Sequence, residues 1–281
     1  MVRSNTYAAS CAVTDTACDW RCGPHERNAV SYTRTLMTIL DRLDSTQEEA
    51  LATVAERCAD AIQNGGLIHL FGSGHSVIPT MDAFPRYGSF AGIHPLTDPR
   101  LMWHNVLGPG GVRELLWLER TEGYIKQYLD HEPLASGDVM VVYSHGGRNA
   151  APVEAAMYAA ERGLFTVAVT SVANLERPAE HSSGRRIAEI CDVTIDTGVP
   201  VQDAIIEVDG WDRPTGGAST VVASVVSHEI VTRTAAVLAG RGVVVPTFVS
   251  PTVPGATVSS NDEVFADHQR RLHAAEGRDR R

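Results

Sequence analysis

Residues 138–170 read DVMVVYSHGGRNAAPVEAAMYAAERGLFTVAVT, and this stretch decides the fold. Residues 139–143 form a short apolar run that stops at a polar, glycine-bearing turn, which is typical of a buried parallel strand. Residues 150–162 are rich in Ala, Met and Glu, and Gly163 is suited to end a helix in the left-handed conformation. With a second strand at 164–169, the stretch is predicted to be one βαβ unit.

A second unit of the same kind comes earlier in the chain. Residues 67–71 are another buried-strand run, followed by the turn Gly72-Ser73-Gly74-His75-Ser76 and a segment at 77–87. The loops after the two strands, 72–76 and 144–149, are expected to face one crevice, because ligands bind at the carboxyl ends of strands in open α/β sheets. A dinucleotide fingerprint is the rival interpretation, but Val77 stands in place of its third glycine. No nicotinamide or flavin cofactor is therefore predicted.

The two loops resemble those of the SIS (sugar isomerase) domain family of phosphosugar binders and isomerases. The similarity consists of a strand followed by Gly-Ser-Gly-His-Ser, and a later strand followed by Ser-x-x-Gly-Arg-Asn-x-x-Pro and a helix. Within the family the chain most resembles a subfamily of phosphosugar-binding proteins that shares the strings LERTEG at 118–123, HSSG at 181–184 and STVV at 219–222. The resemblance implies a doubly wound parallel sheet flanked by helices, a three-layer α/β sandwich.

The resemblance also implies which residues hold a sugar or a sugar phosphate. They lie in the two loops and are Ser73, Gly74, Ser76, Ser144, Gly147, Arg148 and Asn149. One departure from the family pattern concerns the phosphate: the usual Ser-x-Ser-Gly is Ser144-His145-Gly146-Gly147 here, so a hydroxyl expected at position 146 is missing. The alternative interpretation is that the small residues only form tight turns for packing.

Two glutamates are candidates for acid/base chemistry. Glu119 and Glu122 are three residues apart in a predicted helix at 112–129, so both side chains can lie on one face. Paired carboxylates in a cleft raise the pKa of one of them, as a general base for a C–H bond requires. A weaker similarity to N-acetylmuramic acid 6-phosphate etherases places Glu122 nearest to their acid/base. The alternative is a solvated helix face.

The favoured reaction is the isomerisation of a phosphosugar by proton transfer, without a cofactor. Glu122 is expected to act as the base, and His75 and His228 as hydrogen-bond donors or second acid/base groups. Etherase or lyase chemistry on the same scaffold is a second enzymatic interpretation. The alternative from another class is a non-catalytic phosphosugar sensor that acts through a protein partner, since the sequence shows no helix-turn-helix or basic segment.

Composition and charge narrow the possible partners. The 281 residues are 43% hydrophobic and carry a formal net charge of −10, which argues against nucleic acid and anionic membranes as partners. No apolar run reaches the length of a membrane span and no signal peptide is evident, so the cytoplasm is expected. Three cysteines near His25 can be imagined as a metal site, but their spacing fits no common zinc pattern and no metal is predicted: Cys11, Cys18 and Cys22.

The domain organisation is predicted as one α/β domain with two terminal extensions. Residues 1–28 are expected to be a flexible tail, 29–258 the SIS domain with an amino-terminal helical segment, and 259–281 a carboxyl-terminal helix and tail. The amino-terminal segment and a long helix at 218–240 look too apolar to be left exposed, so a homo-oligomer, dimer or tetramer, is expected. Equally, the amino-terminal segment can cover one sheet face. Residues 199–217 are predicted to be a long binding loop.

Overall fold

A computed structural model describes residues 31–102 and 110–279 of the chain. The predicted amino-terminal tail and its three cysteines lie outside these residues. The centre of the fold is a five-stranded parallel sheet in the order β2-β1-β3-β4-β5. The five strands are β1 Ile68–Gly72, β2 Ile93–Leu96, β3 Val139–Tyr143, β4 Phe165–Thr170 and β5 Val193–Asp196.

Helices cover both faces of this sheet, as predicted for a doubly wound α/β sandwich. They are α1 Tyr32–Thr46, α2 Glu48–Gln63, α3 Val77–Ala83, α4 Gly111–Leu118, α5 Tyr124–Leu129, α6 Ala150–Glu161, α7 Ile187–Ile190, α8 Ser219–Gly240 and α9 Asp262–Asp279. Alternate residues of β3 enter different cores: Val141 and Tyr143 pack on the side of α2 and α8, whereas Met140 and Val142 pack on the side of α6. Burial on both faces explains why this strand is apolar throughout.

Two predicted elements have to be corrected. The single helix expected at 112–129 is wrong, because α4 ends at Leu118 and α5 begins only at Tyr124. Between them Gly123 adopts a left-handed conformation with φ of 80°, which an α-helix does not accommodate. The loop expected at 199–217 contains an antiparallel hairpin of two short strands, β6 Ala204–Ile206 and β7 Thr215–Gly217.

The amino-terminal helical segment breaks at Gln47 into α1 and α2, and α2 covers the sheet. The buried face of α2 packs against α8 within the same chain. By length and composition α8 alone among the described helices could cross a membrane, but core helices pass the same test and α8 lies in the core. The homo-oligomer therefore stays a prediction. The apolar face of α2 no longer supports it, because this face is buried within the chain.

A buried polar cluster lies near the amino-terminal ends of the strands, whereas the two glycine loops follow their carboxyl-terminal ends. Asp138, fully buried before β3, accepts hydrogen bonds from the backbone of Leu67, from Arg278 on α9 and from His69. The Nδ1 atoms of His69 and His94 are 3.0 Å apart. If the Nε2–H of His69 donates to Asp138, then His69 Nδ1 is the acceptor and His94 the donor.

Candidate functional site

The two glycine loops lie side by side because their strands are hydrogen-bonded neighbours. β1 pairs with β3 in parallel, and Gly72 is aligned with Tyr143, so both loops leave the sheet at the same edge. The first turn requires glycine at its start: a Cβ on Gly72 would come within 2.1 Å of the carbonyl oxygen of Ser76. The fold therefore brings loops 72–76 and 144–149 to one crevice, as predicted.

Glu119 joins these two loops directly. Its Oε2 accepts a hydrogen bond from Ser73 Oγ at 3.0 Å, and its Oε1 accepts one from Asn149 Nδ2 at 2.7 Å. Arg120 Nη1 donates a third, at 3.1 Å. Only 7% of Glu119 is exposed, and burial raises the pKa of its carboxyl above the ordinary value. The base predicted from the sequence is Glu122 and not Glu119, although both residues lie in the LERTEG string.

Glu122 occupies a different environment from the one expected. Its side chain is 42% exposed, and both carboxylate oxygens accept hydrogen bonds from Ser182, one from the backbone N–H and one from Oγ. The hydroxyl of Ser182 is the main reason why the pKa of Glu122 is lowered. The expected desolvated cleft and raised pKa are therefore wrong for Glu122, because the chain leaves the helical path after α4 and turns this side chain toward the 181–184 segment.

Hydrogen bonds connect the 119–123 turn to Glu180 and to α6. Arg120 Nε donates to Glu180 at 2.9 Å, and the backbone N–H of Gly123 donates to Glu154 on α6 at 2.7 Å. Arg148 also pairs with Glu180 and donates to the carbonyl of Pro178. The guanidinium of Arg148, predicted to hold the ligand, thus already has two protein partners.

The second loop has one crowded and one open glycine. The N–H of Gly147 donates to Ser144 Oγ at 3.1 Å, and its φ of 63° lies in the left-handed region. A Cβ on Gly147 would approach Thr170 Oγ1 to 2.8 Å. A Cβ on Gly146 would meet only the side chain of Arg148, at 3.8 Å or more. Packing therefore does not require glycine at position 146, and the serine of the family pattern would fit there.

The two predicted catalytic histidines occupy different parts of the fold. His75 is exposed in the first loop. His228 lies on α8, where its Nε2 is 2.9 Å from Asp82 Oδ2 on α3. None of the hydrogen bonds found in residues 31–102 and 110–279 connects His228 to Glu119 or to the second loop. The crevice thus contains Ser73 and Asn149 next to Glu119, while His228 belongs to the contact between α3 and α8.

Between the second loop and the start of α8 there is a small cleft. Its lining comes from the ends of β3, β4 and β5, both glycine loops and α8: Ser76, Tyr143, Ser144, His145, Val169, Thr197, Ser219, Thr220 and Ala223. The cleft brings together Ser76 and Ser144, which were predicted to hold the ligand. No group of three or more His, Cys, Asp or Glu suited to a metal ion occurs in the described part of the chain.

Comparison with known proteins gives matches over most of the chain. A sequence model of the SIS domain matches residues 31–171. A UPF0309 protein of Oceanobacillus iheyensis is 32% identical over 243 residues, covering 86% of this chain and 96% of that protein. A UPF0309 protein of Listeria innocua is 36% identical over 224 residues, covering 79% and 87%.

Among solved structures, a phosphoheptose isomerase from Neisseria gonorrhoeae is similar with a TM-score of 0.47 and 17% identity. The match covers 73% of this chain and 95% of that one. A likeness at this level carries no argument about function.

Proposed function

The chain belongs to the SIS domain family, and from this premise we propose that its crevice binds a sugar phosphate and catalyses proton transfer between adjacent sugar carbons. The crevice is the space between loops 72–76 and 144–149. Loops at the carboxyl ends of neighbouring parallel strands are the usual ligand position of an open α/β sheet. The proposal is carried by one observation: Glu119, a buried carboxylate, is hydrogen-bonded to a residue of each loop.

Glu119 has the properties that proton abstraction from a sugar carbon requires. Its pKa is raised by burial, so it is a stronger base than a solvated glutamate. Ser73 and Asn149 fix the orientation of the carboxylate, which reduces the reorganisation needed in the reaction. In the proposed step Glu119 removes the proton from the carbon beside the carbonyl, an enediolate forms, and Glu119 returns the proton to the former carbonyl carbon. The hydroxyl proton of the first carbon passes to the former carbonyl oxygen, which completes the isomerisation. Hydroxyl donors and the imidazole of His75 stabilise the enediolate oxygens.

The phosphate is proposed to bind at the amino terminus of α6. This helix has 12 residues, and its first turn follows Gly146, Gly147 and Arg148. Backbone N–H groups at a helix start favour anions. The N–H of Gly147 already donates to Ser144 Oγ, so the N–H groups of Gly146 and Arg148 are the proposed phosphate donors.

Glu119 and Glu122 form a matched pair for testing the base. Each is replaced by glutamine, and solvent deuterium incorporation into a panel of hexose and heptose phosphates is followed by NMR. Glu119→Gln keeps its size and hydrogen-bonding groups but cannot accept the proton, so exchange should fall by roughly a hundredfold or more. Glu122→Gln should retain exchange. The opposite pattern would restore Glu122 as the base, and unchanged exchange in both variants would exclude both residues.

A non-catalytic sugar-phosphate sensor is the second candidate function. The same carboxylate favours it, because three protein donors already bind Glu119. A buried glutamate that links two loops can have a purely structural role. The sensor predicts that the unmodified protein binds a sugar phosphate in calorimetry but exchanges no sugar proton. Deuterium incorporation into any bound sugar would exclude it.

A further inference from the structure

A row of alternating charges connects the second loop to Glu119, the proposed base. The guanidinium of Arg148 pairs with Glu180 Oε1 at 2.5 Å. The other carboxylate oxygen of Glu180 accepts a hydrogen bond from Arg120 Nε at 2.9 Å, and Arg120 Nη1 donates to Glu119 at 3.1 Å. Glu180 thus lies between two arginines, of which one belongs to the proposed phosphate loop and the other contacts the proposed base.

Arg148 lies next to the proposed phosphate donors. A Cβ on Gly146 would be 3.9 Å from Arg148 Nε, and the N–H of Gly146 is one of those donors. The hydrogen bonds and ion pairs within residues 31–102 and 110–279 involve Nη1 and Nη2 of Arg148 but not its Nε. A phosphate group at the start of α6 would therefore compete with Glu180 for the positive charge of Arg148.

The backbone holds Glu180 in place during such an exchange of partners. Its N–H donates to the carbonyl oxygen of Arg148 at 3.3 Å, so the segment that carries Glu180 is attached to the second loop independently of the two side chains. Glu180 then stays within reach of Arg120 when the side chain of Arg148 turns toward a phosphate.

The charge of Glu180 also acts on the proposed base. Burial is the main reason why the pKa of Glu119 is raised; Arg120 lowers this pKa, whereas Glu180 raises it. As long as Arg148 pairs with Glu180, it cancels part of the negative potential that Glu180 exerts on Glu119. Loss of that pairing leaves Glu119 a stronger base.

We propose that Glu180 transmits phosphate binding to Glu119. When a phosphate group takes over Arg148, Glu180 binds Arg120 more strongly, and the hydrogen bond from Arg120 to Glu119 weakens. The base therefore reaches its full strength only when the phosphate of the substrate is in place. This assignment rests on the proposed function, and it makes Glu180 a positioning residue that favours phosphorylated over free sugars.

Supplying the phosphate as a separate molecule tests this assignment. Solvent deuterium incorporation is followed by NMR for the sugar phosphate that exchanges fastest, for the corresponding free sugar, and for the free sugar with inorganic phosphate. Calorimetry measures the Kd of the sugar phosphate and of inorganic phosphate. In the unmodified protein, inorganic phosphate should accelerate exchange of the free sugar by about tenfold.

Two variants should change binding and exchange in opposite directions. Glu180→Gln releases Arg148, so inorganic phosphate should bind about threefold more tightly, yet exchange of saturating sugar phosphate should fall by about tenfold. Inorganic phosphate should no longer accelerate the free sugar in this variant. Arg148→Gln should bind inorganic phosphate about tenfold more weakly, but it should exchange the free sugar about tenfold faster without phosphate, because Glu180 is then permanently released.

Ser182→Ala is the matched control. The hydroxyl of Ser182 also connects the 181–184 segment to the 119–123 turn, through Glu122, but it lies outside the row of charges. This variant should keep both the Kd and the acceleration by phosphate. Urea unfolding establishes that each variant is folded, and a general disturbance of the fold would not make binding tighter while exchange becomes slower.

The outcomes separate the role of Glu180 from the proposed function. If the unmodified protein exchanges no sugar phosphate, the proposed function fails and the role of Glu180 with it. If exchange occurs but inorganic phosphate still accelerates the free sugar in Glu180→Gln, the phosphate acts on Glu119 directly and only the role of Glu180 is refuted. Absence of acceleration in the unmodified protein, or a joint loss of binding and exchange in Glu180→Gln, would refute that role as well.

Discussion

The buried histidine cluster should make the protein sensitive to mild acid. Burial lowers the pKa of His94 from 6.5 to about 3, with further contributions from His69 and His268. The carboxylate of Glu132 also faces His94, at 3.8 Å. Between these two pKa values the unfolded chain binds a proton at His94 that the folded protein does not, so stability falls as pH decreases. From pH 7.5 to pH 5 this single group should cost about 2 kcal/mol of unfolding free energy.

The assay is urea unfolding of the unmodified protein and of His94→Asn at a series of pH values over this range. The Nδ1 of His94 donates to His69, and the side-chain amide nitrogen of asparagine can take its place. Unlike histidine, asparagine does not titrate. Over the same interval the variant should therefore lose about 2 kcal/mol less than the unmodified protein, whatever its stability at pH 7.5. His273→Asn, at an exposed position on α9, is the control for the loss of one histidine.

Parallel stability curves for the unmodified protein and His94→Asn would refute this reasoning, because the folded protein would then accept the proton as readily as the unfolded chain. A steeper loss in the variant would reverse the sign and have the same consequence.

Four further predictions concern the second loop and the assembly. Gly146→Ser should fold normally and tighten sugar-phosphate binding by about 1.5–3 kcal/mol in calorimetry, the value of a hydrogen bond to a charged group; an unchanged Kd would place the phosphate elsewhere. Gly147→Ser should instead lower the urea midpoint, since its side chain would collide with Thr170. Ser144→Ala should weaken sugar-phosphate binding by about 1.5–3 kcal/mol, and equal affinity for phosphorylated and free sugar would contradict it. Sedimentation at micromolar concentration should give the mass of an oligomer; a monomer mass would refute that prediction.

The central βαβ unit could be predicted from sequence because every signal in it is local. The strand at 139–143 is observed as Val139–Tyr143, and the helix at 150–162 as Ala150–Glu161. The apolar run is continuous because both faces of the strand are buried, and the turn that follows begins at Ser144. The neighbouring loops could also be placed, since parallel strands leave a sheet at the same edge.

The roles of the two glutamates could not be predicted in the same way. Good helix formers stand on both sides of Gly123, so the sequence favours one continuous helix. What decides the break and the burial is tertiary contact: Glu122 bonds to Ser182, 60 residues later, and Glu119 bonds to Ser73, 46 residues earlier. Spacing of three residues placed both carboxylates on one face, but the fold directs them to different surroundings.

The link that Glu119 makes between the two loops couples ligand binding to proton uptake. Hydrogen bonds from Ser73 and Asn149 favour the ionised carboxyl and partly offset the effect of burial. A ligand that draws either donor to its own oxygens weakens this support, and the affinity of Glu119 for a proton then rises. Binding would be accompanied by proton capture from the buffer, so the measured enthalpy would vary with the ionisation enthalpy of the buffer used.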